Sequence, residues 1–310
     1  MLGFFSSSPP LTEANLQDQS GKVFIVTGAS SGYGYILASI LYQRNGTVYL
    51  AARDTKKLSQ VADEFKQRFP ASTGRVDFFQ LDLSDLTTIA KSANEFLAKE
   101  SQLHVIWHNA GVMVPPQGSK TKQEYELQLG VNVVAPFLLT KLLYPTLAKT
   151  AAQSPPHSVR VVWVSSGVAP LSPKPPIDYT NLDYHKDEGA WAKYGRSKAG
   201  IVLLSAALAR RGKQDGVVGV TLDPGVAITS LQRSLSKLML ALVRIIAQKP
   251  ETGAYTQLYA GLQPDLDVLK PETWVVPPGK LVKTRADLFS VQESEKFWDW
   301  CEAQVKVYVE

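Results

Sequence analysis

The most constraining stretch of the chain is Thr27-Gly28-Ala29-Ser30-Ser31-Gly32-Tyr33-Gly34. An apolar run, residues 23–26, precedes it, and Ile36, Leu37, Ile40 and Leu41 follow at helical spacing. That pattern puts the glycines on a strand-to-helix turn. Gly28 permits a tight turn that a side chain would obstruct. Gly32 and Gly34 have no Cβ, so an anion and the sheet can each approach the backbone. The helix that follows points unpaired N–H groups and the positive end of its dipole at such an anion. The glycine spacing is three-then-one, not the one-then-two of the usual dinucleotide fingerprint, so alone it also suits a glycine-rich turn in any α/β protein.

The rest of the chain repeats the alternation. Strands are predicted at residues 23–26, 47–52, 76–81, 103–107, 159–164 and 217–222, with a short candidate at 274–276. Helices are predicted at 35–44, 56–69, 85–100, 124–147, 191–211, 228–246, 251–262 and 293–307. Pro136 should bend or break the fourth of these. Strands alternating with helices predict a mainly parallel sheet of about seven strands, covered on both faces. Ligands of such sheets bind beyond the carboxyl ends of the strands. Arg53, Asp82, Asn109, Ser166 and Asp223 all fall there.

Bulk properties narrow the function. A chain of 310 residues fits one large α/β domain, and 45% hydrophobic residues suffice for its core. The reading is an N-terminal arm, 1–20, and a single domain, 21–310, with a proline-rich loop at 170–189, an amphipathic helix at 228–248 and a C-terminal extension from 264. The net charge of +5 is modest and its cations are scattered, which argues against a nucleic-acid binder. The single cysteine, Cys301, rules out an internal disulfide framework and suits a reducing, cytoplasmic setting. No stretch reaches the ~18–20 uninterrupted apolar residues of a membrane span.

Several side chains could carry chemistry. Tyr194 and Lys198 lie four apart on one predicted helix and so share a face. An ammonium beside a phenol lowers the phenol's pKa, which suits general acid/base work. Ser166 ends a strand and can donate a hydrogen bond to a carbonyl oxygen; Ser165 is the neighbouring alternative. Asn132 lies within a helical pattern, where asparagine is mildly unfavourable. Arg53, with Lys57 nearby, follows the second strand, where an arginine suits a ribose 2′-phosphate.

Taken in order, TGASSGYG, Asp82, HNAG, Asn132, SS, YGRSK and DPG followed by Thr229 resemble the short-chain dehydrogenase/reductase family, most closely its retinol-dehydrogenase-like and WW-domain-oxidoreductase-like branch and the fungal members of it. The resemblance covers residues 22–229. It implies a doubly wound Rossmann fold and a nicotinamide cofactor, NADPH rather than NADH because of Arg53. It implies that Tyr194 is the general acid of carbonyl reduction, Lys198 lowers its pKa and holds the nicotinamide ribose, Ser166 polarises the carbonyl and Asn132 holds a relay water. Gly28, Ser31, Gly32, Tyr33 and Gly34 would surround the pyrophosphate. Asp82 and Leu83 would meet the adenine, and Asn109, Ala110 and Gly111 would back the adenosine. Pro224, Gly225, Val226 and Thr229 would hold the nicotinamide end. The implied substrate is an apolar small-molecule carbonyl, and the resemblance admits a homodimer.

Four features depart from the family pattern. His108 stands where asparagine is common, Tyr33 where isoleucine is frequent, and Asp223 where this branch often has histidine. Ser166 and Tyr194 are 28 residues apart, because the loop 170–189 is inserted between them. With the helix after Thr229 that loop should form a substrate lid. Peripheral membrane contact is the alternative role of that helix, and a cofactor-loaded binding protein without turnover is the alternative function.

Overall fold

The computed structural model describes residues 8–229, 231–232, 237–264 and 273–309. Eight strands form one sheet: β1 (Val23–Thr27), β2 (Thr47–Ala52), β3 (Arg75–Gln80), β4 (Val105–His108), β5 (Val159–Val164), β6 (Val217–Leu222), β7 (Thr273–Val276) and β8 (Lys280–Lys283). Their order is β3-β2-β1-β4-β5-β6-β7-β8. All neighbours run parallel except β7 and β8. The antiparallel β8 was not expected. Its sequence, KLVK, sets two apolar residues between two lysines, too short to show a strand period.

Strand periodicity decides which helices cover which face. Val23 and Ile25 point into one core with Val159, Val161 and Trp163, roofed by α3 (Leu86–Leu97), α5 (Ala135–Ala151), α6 (Ala190–Arg211) and α9 (Val291–Val305). Phe24 and Val26 point into the other with Val162 and Val164, roofed by α1 (Gly32–Gln43), α2 (Thr55–Arg68) and α8 (Pro250–Leu262). The order of strands reverses between β1 and β4, so the crevice for a ligand opens beyond their carboxyl ends.

The predicted helix at 124–147 is α4 (Leu127–Leu129), a π-helical turn (Gly130–Val134) and α5, run together. Pro136 sits at the start of α5, where its missing N–H costs least, and Asn132 sits inside the π turn. This 25-residue run is long and apolar enough to cross a membrane, yet 78% of its most apolar window is buried against the sheet and its neighbours, as a core helix requires.

Two expectations need correction. The N-terminal arm is fastened over residues 8–20: Leu11 and Leu16 are buried in the second core, and Arg44 donates to the Glu13 carbonyl at 2.7 Å. The helix predicted from residue 228 is not formed at residues 228–229, which are irregular; α7 (Lys237–Ile246) covers its later part, and 230 and 233–236 lie outside the described residues. Ile245 of α7 is 80% exposed.

Candidate active site

The glycine turn is built as the crevice demands. Gly28 and Gly32 have φ of +70° and +61°, conformations that L side chains rarely adopt. α1 begins at Gly32 and has no acidic residue in its first turn to compete for an anion. Gly34 serves packing rather than the anion. A Cβ there would lie 2.5 Å from Asn109 Nδ2 and 2.8 Å from the Gly28 carbonyl oxygen. Asn109 braces the turn: its Nδ2 donates to the Thr27 carbonyl at 2.9 Å and its Oδ1 accepts from Gln257 at 3.0 Å.

A cleft of about 470 Å³ runs from this turn over the strand ends. Gly28, Ser31, Gly32 and Tyr33 line it, with Arg53 and Lys57 after β2, Asp82 and Leu83 after β3, and Asn109, Ala110 and Gly111 after β4. Thr229 closes the far side. The two carboxylates that share the cleft lining with Arg53 and Lys57 are already engaged. Asp54 caps α2 by accepting from Lys57 N–H at 3.1 Å, and Asp82 accepts from Ser84 N–H and Oγ at 2.9 and 2.6 Å. Positive-φ glycines, a helix N-terminus and two cations along one cleft fit an anionic dinucleotide. Ser30 and Leu231 also line the cleft and were not anticipated. Ser30 could have been inferred from its place in the turn, whereas Leu231 follows Thr229 in a segment read as helix.

The catalytic candidates do not line this cleft but lie beside it, next to Gly111. A Cβ on Gly111 would lie 3.0 Å from Asn132 Oδ1 and 3.7 Å from Lys198 Nζ. Tyr194 and Lys198 are buried on α6, and the Ser166 hydroxyl faces the Tyr194 phenol and opposes the rise of its pKa. Lys198 Nζ donates to the Val164 carbonyl at 2.9 Å, and Ser165 Oγ donates to the Lys198 carbonyl at 2.8 Å. Thus Ser165 anchors α6 while Ser166 faces the phenol, which resolves the ambiguity between them. Asn132 clasps residue 112, accepting from its N–H at 2.8 Å and donating to its carbonyl at 3.0 Å, and donates to Ser197 Oγ at 3.1 Å. Its side chain is therefore committed to holding the 111–112 loop.

The expected depression of the phenol pKa is absent. Burial pushes Tyr194 up to about 12 against the opposing Ser166 hydroxyl, and Asp223 adds to the rise. Burial also brings Lys198 down to about 8, opposed by Asp223. Desolvation outweighs the ammonium here because Lys198 Nζ bonds a carbonyl and lies 5.7 Å from the Tyr194 ring centroid.

Pro224, Gly225 and Val226 lie outside the lining of the cleft. Tyr33 reaches them, its hydroxyl donating to the Gly225 carbonyl at 3.1 Å. The loop 170–189 is tied down rather than free. Arg285 donates to the carbonyls of Pro170 and Ser172 at 3.1 and 2.7 Å, and Arg196 to that of Pro175 at 2.7 Å.

A family model described as short chain dehydrogenase matches residues 22–176. A short-chain dehydrogenase/reductase of Emericella nidulans, pkfC, is 60% identical, covering 98% of this chain and 99% of the relative. The chain belongs to the short-chain dehydrogenase/reductase family. It is therefore an oxidoreductase of that family, and the eight-stranded sheet is the family's Rossmann fold. A crystal structure of an uncharacterized protein from Mycobacterium Paratuberculosis has a TM-score of 0.71 at 27% identity, covering 96% of this chain and 97% of that one. The Pseudomonas aeruginosa RhlG/NADP active-site complex has a TM-score of 0.59 at 25% identity, covering 76% and 88%.

Proposed function

We propose that this short-chain dehydrogenase/reductase uses NADPH to reduce a ketone or aldehyde of an apolar small molecule to the alcohol, an imine being the related alternative. The observation that carries the reading is the buried Tyr194 phenol, faced by Ser166, with Lys198 one turn further along the same helix. Binding a dinucleotide needs no acid at that place. A phenol that is protonated at neutral pH can supply the proton that an alkoxide in formation takes up.

A reduced nicotinamide, when bound, supplies the hydride that goes to the carbonyl carbon. The protein does the rest. Ser166 donates a hydrogen bond to the carbonyl oxygen, and Tyr194 gives that oxygen its proton as the C–O π bond breaks, so the product is a neutral alcohol. Lys198, cationic at neutral pH, stabilises the phenolate left behind. Its shift to about 8 puts the loss of that support just above neutrality.

The preference for NADPH rests on Arg53 and Lys57 in a cleft whose lining carboxylates are engaged elsewhere, and the RhlG/NADP complex is consistent with it. The apolar substrate is inferred from the mouth of the site. Trp191 packs edge-on against Tyr194 at 6.1 Å and is 42% exposed, and Leu171, Val226 and Ile228 are exposed on the loops either side. We place the substrate among secondary metabolites on the resemblance to fungal members of the family.

The test is NADPH oxidation by the purified protein against apolar ketones, aldehydes and imines, with NADH and Tyr194→Phe in parallel. We expect turnover that needs NADPH and falls by at least about a thousandfold in Tyr194→Phe, with NADPH affinity retained. Tight NADPH binding without turnover of any carbonyl would favour a cofactor-loaded binding protein instead.

A further inference from the structure

Resting on the reductase reading, we propose that Asp223 is a positioning residue, which clamps the turn carrying Ser166 to the Pro224–Gly225 turn and sets a negative charge toward the Lys198 ammonium. The two turns leave the sheet side by side, because Val164 and Leu222 are paired in register and Ser165 N–H donates to the Leu222 carbonyl at 2.8 Å. Asp223 is the next residue of the second strand. Its own N–H donates to the Val275 carbonyl at 2.8 Å, which fixes the backbone beneath the carboxylate.

The carboxylate then spans both turns. Oδ1 accepts from Gly225 N–H at 3.0 Å, within its own turn. The Gly167 N–H, one residue beyond Ser166, faces the same carboxylate and favours its charged form. A Cβ on Gly167 would lie only 3.0 Å from Oδ2, so a glycine at this position gives the carboxylate its seat. Main-chain N–H groups facing a carboxylate hold it more strongly than they would a neutral acceptor.

The charges around it are few. α6 contributes Lys198 and Tyr194, and α1 contributes Tyr33. The β5 turn, Ser165-Ser166-Gly167, and the end of β7 contribute no ionisable side chain. Among the described residues Asp223 is the one carboxylate that acts on both Tyr194 and Lys198. It opposes ionisation of the phenol and favours the ammonium, so both partners are kept in the protonated form that carbonyl reduction uses. The branch residue commonly found here, histidine, cannot accept from two amides at once while carrying negative charge.

The test uses the full chain labelled with 15N-glycine and 13C-lysine. In Asp223→Asn the side chain keeps its shape, loses its charge and turns an N–H₂ toward one of the two amide donors. We expect exchange at the Gly167 or Gly225 amide to rise by about tenfold or more, and the Lys198 titration midpoint to move to lower pH by at least about half a unit. Asp223→Glu keeps the charge but not the reach. It should loosen the same amides yet hold the Lys198 midpoint near that of the wild type. Unchanged exchange at both glycines, or an unmoved midpoint in Asp223→Asn, overturns the proposal. Neither readout needs a substrate, so a wild type that reduces no carbonyl would sink the reductase reading while these two measurements still judge Asp223.

Discussion

Arg53 is the residue on which the choice of cofactor turns. It lines the cleft directly after β2, with Lys57 one helical turn away. An arginine suits a 2′-phosphate, and a carboxylate in the same place would suit a ribose hydroxyl and repel the phosphate. Arg53→Glu should therefore weaken NADPH binding by at least about tenfold, roughly the loss of one charge-assisted contact, and narrow or reverse the gap to NADH. Equal loss for both cofactors in titrations of bound-cofactor fluorescence would mean that Arg53 does not read the phosphate. Individual residues of the cleft were legible in the sequence because each follows a strand, and strand ends are recognisable from apolar runs. Tyr194 and Lys198 were legible as a pair from their spacing on one helix, and their grouping with Ser166 came from the family resemblance. Their protonation was not. The phenol's upward shift comes from burial beneath neighbours distant in sequence, which no spacing records. Asp223 was visible as a departure, yet its function depends on Gly167, 56 positions away, and on the register that joins β5 to β6.

Among the elements, α8 does more for the site than its sequence suggests. Glycines allow it to lie close to the sheet and to α1. A Cβ on Gly261 would lie 2.1 Å from Trp107 Cζ2, and one on Gly253 would lie 2.3 Å from Tyr33 Cε1. Trp107 is fully buried in β4, and its Nε1 donates to the Gln257 carbonyl at 2.9 Å. Because Gln257 also holds Asn109, which holds the glycine turn, α8 braces the cofactor cleft from behind. Gly261→Ala gains helix propensity but must displace a rigid, buried indole, and overpacking of that kind costs about 1–3 kcal/mol. We expect a lowered thermal midpoint and weaker NADPH binding together. An unchanged or raised midpoint by calorimetry would show that α8 can shift at no cost. The sequence located α8 to within a residue at its start, yet gave no sign that its face of small residues meets Trp107. The same limit applies at residues 228–229, which are irregular although the apolar repeat that follows is helical in period.

The whole molecule should be sensitive to acid for a reason set at its centre. β4 lies between β1 and β5, and both its histidine and the one just before it are held neutral. His104 Nδ1 accepts from Val23 N–H at 3.0 Å, and burial brings it down to about 4. His108 packs at a tilt against Trp163, ring centroids 4.6 Å apart, contacts Thr140 Oγ1 at 2.7 Å, and burial brings it down to about 3. Unfolded, each would titrate near 6.5. The unfolded state therefore binds more protons at every pH below about 6.5, and stability falls as pH drops from there toward the folded-state values. His108→Asn removes one of the two groups, so its thermal midpoint should fall less steeply than that of the wild type between about pH 6.5 and 4. Parallel curves would mean that His108 does not stay neutral in the fold. At this scale the alternation of strands and helices had already indicated a single α/β domain with a mainly parallel sheet. What it missed was β8, too short to carry a period, and the fastening of residues 8–20, which depends on Leu11 and Leu16 reaching a core formed much later in the chain.

The central claim is that this site moves a hydride from NADPH to a carbonyl carbon, with Tyr194 supplying the proton. The most direct measurement is mass spectrometry of the alcohol formed from NADPH deuterated on the reactive face of nicotinamide C4, in the wild type and in Tyr194→Phe. The account predicts a product one mass unit heavier, the deuterium sitting on the new carbinol carbon, and almost no product from the variant. An alcohol without deuterium, with both cofactor faces tested, or equal product from Tyr194→Phe, would contradict it.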